Sequence, residues 1–333
     1  MTLPETVRRR GAQIQAAILH MVAQQRPQRS PTQPPCWIVG IRGGQGSGKT
    51  TCMRHVAAEL AHRGIDAIAF SLDDFYLPHA QQQALAGCRP SGAFSDTRNA
   101  SSSSTTSSDN PLLRTRGQAG THDVALLTSV LDDLRHGRAC RIPRYDKTAY
   151  AGEGDRMASE HDQVIAALPC PHQAAVPSRV VLFEGWMVGY RPLVPPALAT
   201  RAAAMADRLA GTTVAQLADI NARLAAYLPL WTMLDAQIWL TPASIEQIRD
   251  WRWEAERAQP QGPSLSREAC DAFVARFIPG YVLWDEPEYT RASYAAQCRA
   301  TAQPLLIKGF LLDEHRETLF EYPDAASSLS QTT

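Results

Sequence analysis

Cys36-Trp37-Ile38-Val39-Gly40-Ile41, then Gly43-Gly44-Gln45-Gly46-Ser47-Gly48-Lys49-Thr50-Thr51, then a helical pattern from Cys52 to His62: this order decides the fold. The middle stretch matches G-x-x-x-x-G-K-[ST] without a mismatch. An apolar strand before it and a helix after it are the context that makes such a loop a phosphate cradle. Glycines let the backbone close around phosphate oxygens with its N–H groups pointing inward. The helix that starts near Gly48 adds the positive end of its dipole. Lys49 is expected to reach the β- and γ-phosphates, and Thr50 to offer its hydroxyl to Mg²⁺. The expected nucleotide-binding set is Gly43, Gly44, Gln45, Gly46, Ser47, Gly48, Lys49, Thr50 and Thr51.

Outward from the loop, strands alternate with helices. Residues 5–24 form an amphipathic helical pattern, followed by a linker marked by Pro27, Pro31, Pro34 and Pro35. A second strand is expected over 65–70 after a helix that Gly64 caps. Further strands are expected near 139–142, over 180–183 and 236–240, and within 304–312. Helices are expected over 123–134, 198–227 and 245–258. This alternation predicts an α/β P-loop NTPase fold: a mostly parallel central sheet, helices on both faces and a helical lid. Residues 101–108 are all Ser or Thr, so 90–111 is expected to be a disordered insertion. The expected organisation is an N-terminal helix and linker (1–35), a kinase-like domain (36–315) and a C-terminal tail (316–333).

Composition excludes other classes. Lys+Arg and Asp+Glu are equal at 33 each, so the basic excess of a nucleic-acid binder is absent. No apolar run approaches the ~20 residues of a membrane span. Seven scattered cysteines with no C-x-x-C, and no secretory signal, point to reduced thiols in the cytoplasm. Cys170-Pro171-His172 lacks the partner pair of a metal site and reads as a loop. Nothing marks an oligomeric state.

Two carboxylates narrow the chemistry. The apolar run Val180-Val181-Leu182-Phe183 ends at Glu184, where a carboxylate can act on Mg²⁺ or its water shell, or simply terminate a strand. Asp73 follows the strand after the cradle helix. Ligands of open parallel sheets bind at such carboxyl ends, and a carboxylate there can take a hydroxyl proton as a γ-phosphoryl moves across. Asp74, pointing another way if the segment is extended, reads better as a cap. A GTPase base-reading Asn-Lys-x-Asp is absent.

The segment Ser71-Leu72-Asp73-Asp74-Phe75-Tyr76 resembles the S-x-D-x-F-Y segment of the uridine kinase, phosphoribulokinase and pantothenate kinase group. Further blocks are Arg116 to Asp123, Ile142 to Ala149, Gly152 to Arg156, Phe183 to Tyr190 and Trp251 to Glu256. In order and spacing over residues 36–312, they are similar to the plant-type D-glycerate 3-kinases and their fungal and bacterial relatives. The chain departs from that pattern in the Ser/Thr-rich insertion and at Gln118-Ala119, where the family pattern has Asn-Pro. The resemblance implies ATP and Mg²⁺ as cofactors, a hydroxyl of a small organic acid as acceptor, and Asp73 as base or acceptor-binding group. Lys49, Glu184 and Asp73 are the expected catalytic set, with Arg252 closing over the phosphates from a lid. Arg116 and Arg144, as carboxylate forks, join Tyr76, His122 and Tyr145 as expected acceptor contacts. His122 and Asp123 precede a helical pattern, which Thr121 or Asp123 could equally serve by capping it, and Tyr145, Asp146 and Lys147 are expected to shape the pocket. The competing readings are a kinase of another hydroxylated metabolite, nucleoside or pantothenate-like, and a non-catalytic nucleotide-dependent regulatory protein.

Overall fold

The computed structural model describes residues 4–25, 36–85, 110–168, 179–209, 211–258, 265–285 and 306–322. The proline linker, nearly all of the Ser/Thr-rich insertion and Cys170-Pro171-His172 lie outside them.

In chain order the elements begin with α1 (Glu5–Gln25), β1 (Cys36–Gly43), α2 (Lys49–His62), β2 (Asp66–Ser71) and α3 (His79–Leu85). There follow α4 (Val124–Arg135), β3 (Cys140–Ile142), β4 (Tyr145–Asp146), β5 (Asp155–Arg156), β6 (Gln163–Ile165) and β7 (Arg179–Gly185). The chain continues through α5 (Pro195–Ala204), α6 (Val214–Leu224), α7 (Leu228–Thr232), β8 (Ala236–Pro242) and α8 (Ile245–Arg257). It closes with α9 (Arg267–Ala275), α10 (Ile278–Leu283), β9 (Leu306–Leu312) and β10 (Thr318–Tyr322).

The main sheet has the order β10-β9-β8-β1-β7-β2. Its pairs are parallel except β9–β10, which is antiparallel. Residues of β1 are buried throughout, as a strand covered on both faces requires. Alternate residues serve two cores. Trp37, Val39 and Ile41 pack with Val180, Leu182 and Ile238 against Ile14 and Ile18 of α1 and Val56 and Leu60 of α2. Ile38, with Phe70, Phe183 and Trp239, packs on the other face with Leu127 and Leu131 of α4, Leu217 of α6 and Trp231 of α7.

The α/β architecture predicted from sequence is present, with four differences in detail. The helical pattern at 198–227 is broken between Ala204 and Val214, where Gly211 takes φ +77° and Thr213 starts α6 with a capping box. The helices α3, α7, α9 and α10 and the short strands β4, β5 and β6 were not anticipated. The chain after 315 is not only a tail, because β10 extends the sheet through an antiparallel pairing with β9. The helix α1 is built into one core by Ile14 and Ile18, both fully buried, rather than standing apart from the domain. At the end of α2 the expected glycine cap is present: Gly64 has φ +75°, its N–H donates to Ala61 O, and the Ile65 N–H donates to Leu60 O.

Candidate functional site

The cradle is formed where β1 turns into α2. Gly48 caps the helix in the left-handed region at φ +86°, and Gly46 has φ +75°. A β-carbon on Gly46 would lie 2.6 Å from Trp251 Cβ and 2.7 Å from its backbone carbon, so α8 presses directly on the loop. Lys49 folds back to donate from Nζ to Gly44 O at 3.0 Å. Burial lowers its pKa, while the charges of Glu184 and Asp73 act in the opposite direction. The buried Ser47 Oγ has no hydrogen-bond partner. The Gln45 N–H donates to Tyr281 Oη of α10 at 3.2 Å, which ties the loop to a helix on the opposite flank of the sheet.

The strand β7 runs between β1 and β2, so its end falls between the two halves of the site. Glu184 sits there, 6% exposed, and its Oε1 accepts from Thr50 Oγ1 at 3.0 Å. A hydroxyl and a carboxylate oxygen beside the phosphate loop are the hard donors Mg²⁺ takes. Among the described residues no cluster of three or more His, Cys, Asp or Glu side chains forms a metal cage.

Asp73 lies beyond the end of β2 on a 3-10 turn, Leu72–Phe75, and not on an extended segment. The turn is a capping box. Ser71 Oγ accepts from Asp73 N–H at 3.2 Å, and Asp74 Oδ2 accepts from Ser71 N–H at 3.0 Å. Asp74 is thereby spent on the turn, while Asp73 faces the other way. Lys147 Nζ donates to Asp73 Oδ2 at 2.5 Å, with the lysine side chain 55% exposed and the aspartate 26%. Burial alone would raise the Asp73 pKa. The adjacent Lys147 ammonium and a hydrogen bond from Tyr76 outweigh it and hold the carboxyl at about 2.

Around Asp73 the aromatic residues assemble by backbone pairing. The Leu77 N–H donates to Thr121 O and the Asp123 N–H to Phe75 O, which stacks His122 on Tyr76 with ring centroids 4.5 Å apart. His122 Nδ1 pairs with Tyr227 Oη at 2.8 Å, and that hydroxyl also accepts from the Gly120 N–H. His122 is 4% exposed, its pKa is lowered by burial to about 4, and its Nε2 has no partner. Tyr145 meets Tyr76 edge-on at 5.3 Å, and its buried hydroxyl is likewise unpaired. Arg116 lies over the Tyr145 ring and donates to the carbonyls of Gly152, Glu153 and Lys147. It thereby fixes the β4–β5 hairpin, which Arg156 anchors from the other side through Asp123 Oδ2 and Tyr76 O. Asp123 also caps α4, accepting from the Leu126 N–H, so its capping role is the one observed.

No protein-family model matches the chain. Over 253 residues it is 34% identical to the uncharacterized kinase mug58 of Schizosaccharomyces pombe, covering 74% of this chain and 80% of that one. It is 30% identical over 254 residues to the chloroplastic D-glycerate 3-kinase of Arabidopsis thaliana, covering 74% of this chain but 47% of the plant protein, so it spans about half of that relative's length. The solved structure of D-glycerate 3-kinase from Cryptococcus neoformans superposes with a TM-score of 0.73 at 27% identity, covering 94% of this chain and 98% of that one. The chain belongs to the D-glycerate 3-kinase family of P-loop kinases. It is an ATP-dependent phosphotransferase acting on a small molecule.

At this end of the sheet the structure groups Lys49, Thr50, Glu184, Asp73, Tyr76, His122, Tyr145 and Arg116. Two expected members are held elsewhere. Arg144 donates to Gln163 Oε1 and lies 3.8 Å from Asp74, the capping carboxylate, so it braces the turn behind Asp73. Arg252 bonds the fully buried Glu256 at 2.9 Å and lies over the Phe273 ring. Among the described residues no contact joins Arg252 to Lys49 or Asp73.

Sequence reading missed Arg276, Tyr227 and Tyr281. Arg276 bonds Thr115 Oγ1, and burial and the nearby Arg116 both lower its pKa. Gln118 Nε2 donates to its carbonyl at 2.7 Å, so one of the residues departing from the family pattern holds this arginine's segment. A signal for α9 and α10 was available: Phe273, Val274, Phe277, Ile278 and Tyr281 recur at helical spacing.

Proposed function

We propose that the chain transfers the γ-phosphoryl group of Mg-ATP to a hydroxyl of D-glycerate, forming ADP and 3-phosphoglycerate. The observation that carries this reading is the chemistry facing Asp73. Arg116 and Arg276 repel each other beside Tyr76, the residue that bonds Asp73, and neither has a carboxylate partner among the described residues. Beside them the buried His122 Nε2 and Tyr145 Oη stand unsatisfied. A buried polar atom without a partner is costly, and paired guanidiniums repel, so the pocket is suited to a small anion that also carries hydroxyls. D-glycerate has one carboxylate and two hydroxyls. Two relatives bear the name D-glycerate 3-kinase.

In this mechanism the loop amides of Gly46 to Thr50 and Lys49 hold the phosphates. Thr50 and Glu184 would hold Mg²⁺, which when bound neutralises phosphate charge. Arg116 and Arg276 fix the acceptor carboxylate, and His122 and Tyr145 orient its hydroxyls. Asp73 accepts the proton of the attacking hydroxyl at Oδ1 or Oδ2. Arg144 serves by bracing Asp74, and Arg252 remains a candidate for closing over the phosphates if it leaves Glu256.

The test is an acceptor panel. Purified protein with ATP and Mg²⁺ is expected to release ADP with D-glycerate and to give 3-phosphoglycerate by mass and NMR. L-glycerate, glycerol, a nucleoside and pantothenate are expected to give little turnover. Turnover confined to one of the last two would replace the acceptor assignment.

A further inference from the structure

We propose that Lys147 is a guard on Asp73: it occupies the carboxylate while the acceptor place is empty and is drawn off by the acceptor's own negative charge. The inference rests on the proposed base role of Asp73 and deepens it.

Three observations meet at this lysine. It forms the 2.5 Å ion pair with Asp73, the carboxylate that would otherwise face the phosphate loop unoccupied. Its side chain is 55% exposed, on the turn that follows β4, and the ammonium is held there through Asp73. Its carbonyl accepts from Arg116, the residue proposed to bind the acceptor's carboxylate, so the lysine's main chain is held by one site residue and its ammonium by another. The Lys147 charge also acts on Lys49, and Glu184 acts on Lys147, so the tip lies between the two halves of the site.

The consequence concerns water. With ATP bound and no acceptor, a free Asp73 would activate water as readily as an alcohol. The water oxygen would bond to the γ-phosphorus, the bridging P–O bond would break with its electron pair left on ADP, and the proton would pass to Asp73. The products would be ADP and inorganic phosphate. Lys147 offsets the carboxylate's charge and occupies its Oδ2, which suppresses this loss. A hydroxy acid offers Lys147 a second carboxylate, and the exchange exposes Asp73 only when an acceptor hydroxyl is present to be deprotonated.

The readout is ADP release by the intact protein without any acceptor. Lys147→Ala is expected to raise this hydrolysis about tenfold, within what a positioned base supplies. Lys147→Arg keeps a cation there and is expected to stay near the parent. The double variant Asp73→Asn/Lys147→Ala is expected to return to the parent rate. Lys147→Ala is also expected to raise KM for the carboxylate-bearing acceptor and to raise any weak turnover of glycerol, which has no carboxylate to draw the lysine off. Nucleotide affinity and thermal midpoint matched to the parent establish that the variants fold. Hydrolysis by folded Lys147→Ala no faster than the parent overturns the guard, as does a rise that persists in the double variant. The hydrolysis arm uses no acceptor. A parent enzyme that ignores D-glycerate but phosphorylates another hydroxy acid therefore removes the substrate and leaves the guard standing.

Discussion

At the scale of single residues, two carboxylates that are neighbours in sequence do different work. Asp74 satisfies the Ser71 amide and Asp73 faces the phosphate loop, because a 3-10 turn with a capping box rotates them apart. Replacing Asp73 by Asn keeps the shape and removes the proton acceptor. The expected result is a fall in kcat of roughly 10²- to 10⁴-fold with ATP affinity within about twofold of the parent, read by steady-state kinetics and nucleotide titration. A loss in ATP binding of the same size as the loss in kcat would instead make Asp73 a nucleotide ligand. His122 gives a pH signature. It is buried neutral with a pKa of about 4 against 6.5 in the unfolded chain, so between those values the unfolded chain binds the proton more readily. Stability from this group is complete above pH 6.5 and declines as pH falls towards 4, by on the order of 3 kcal/mol. His122→Gln is expected to flatten the fall of the urea midpoint across that window, whatever it does to the midpoint at pH 7.

At the scale of elements, the short span from α9 to α10 connects both halves of the site. Arg276 lies near Arg116 and Tyr76, on the proposed acceptor side, while Tyr281 one helical stretch later receives the Gln45 amide of the loop. Trp186, at the end of β7, stacks edge-on against both Phe277 and Tyr281 and donates from Nε1 to Gly117 O. Tyr281→Phe removes one hydrogen bond and keeps the ring. The expected cost is about 1 kcal/mol, seen as an ATP dissociation constant raised about fivefold with kcat and thermal midpoint little altered. A change in acceptor KM alone would place Tyr281 on the acceptor side. These helices show where reading from sequence stopped. Strand, loop and helix around Lys49 were legible because three local patterns agree, and Asp73 and Glu184 because each ends an apolar strand. Arg276 carries no such mark; its function depends on folding back across roughly 160 residues onto Thr115. Arg252 stands in a matching block, yet its charge goes to Glu256 one helical turn away, a partner that the i,i+4 spacing on the helix also offered.

At the scale of the whole molecule, the sheet is locked at its phosphate end by a buried ion pair. Arg42, the residue before Gly43, is 1% exposed, lies over Trp239 with its guanidinium carbon 4.0 Å from the ring centroid, and meets Asp285 at 3.0 Å. Burial raises the Asp285 pKa, and Arg42 opposes that shift. Asp285→Ala would strand a guanidinium in the core. The expected destabilisation is about 3–5 kcal/mol by equilibrium denaturation, and Arg42→Met added to it is expected to restore a large part. A single variant within 1 kcal/mol of the parent, well below ~3, would mean that water reaches Arg42.

The order β10-β9-β8-β1-β7-β2 leaves β2 as the last strand on its side, with Asp73 at its tip. The nucleotide loop springs from β1, in the interior of that order, where a change in backbone disturbs neighbours on both flanks. The residues proposed to handle the acceptor, Arg116, His122, Tyr145 and Lys147, instead lie on chain returning between β2 and β7. The scaffold is therefore conservative at its hub and permissive at its margin. Exchange of the 110–168 span is the route by which one phosphate-handling body would acquire a new alcohol.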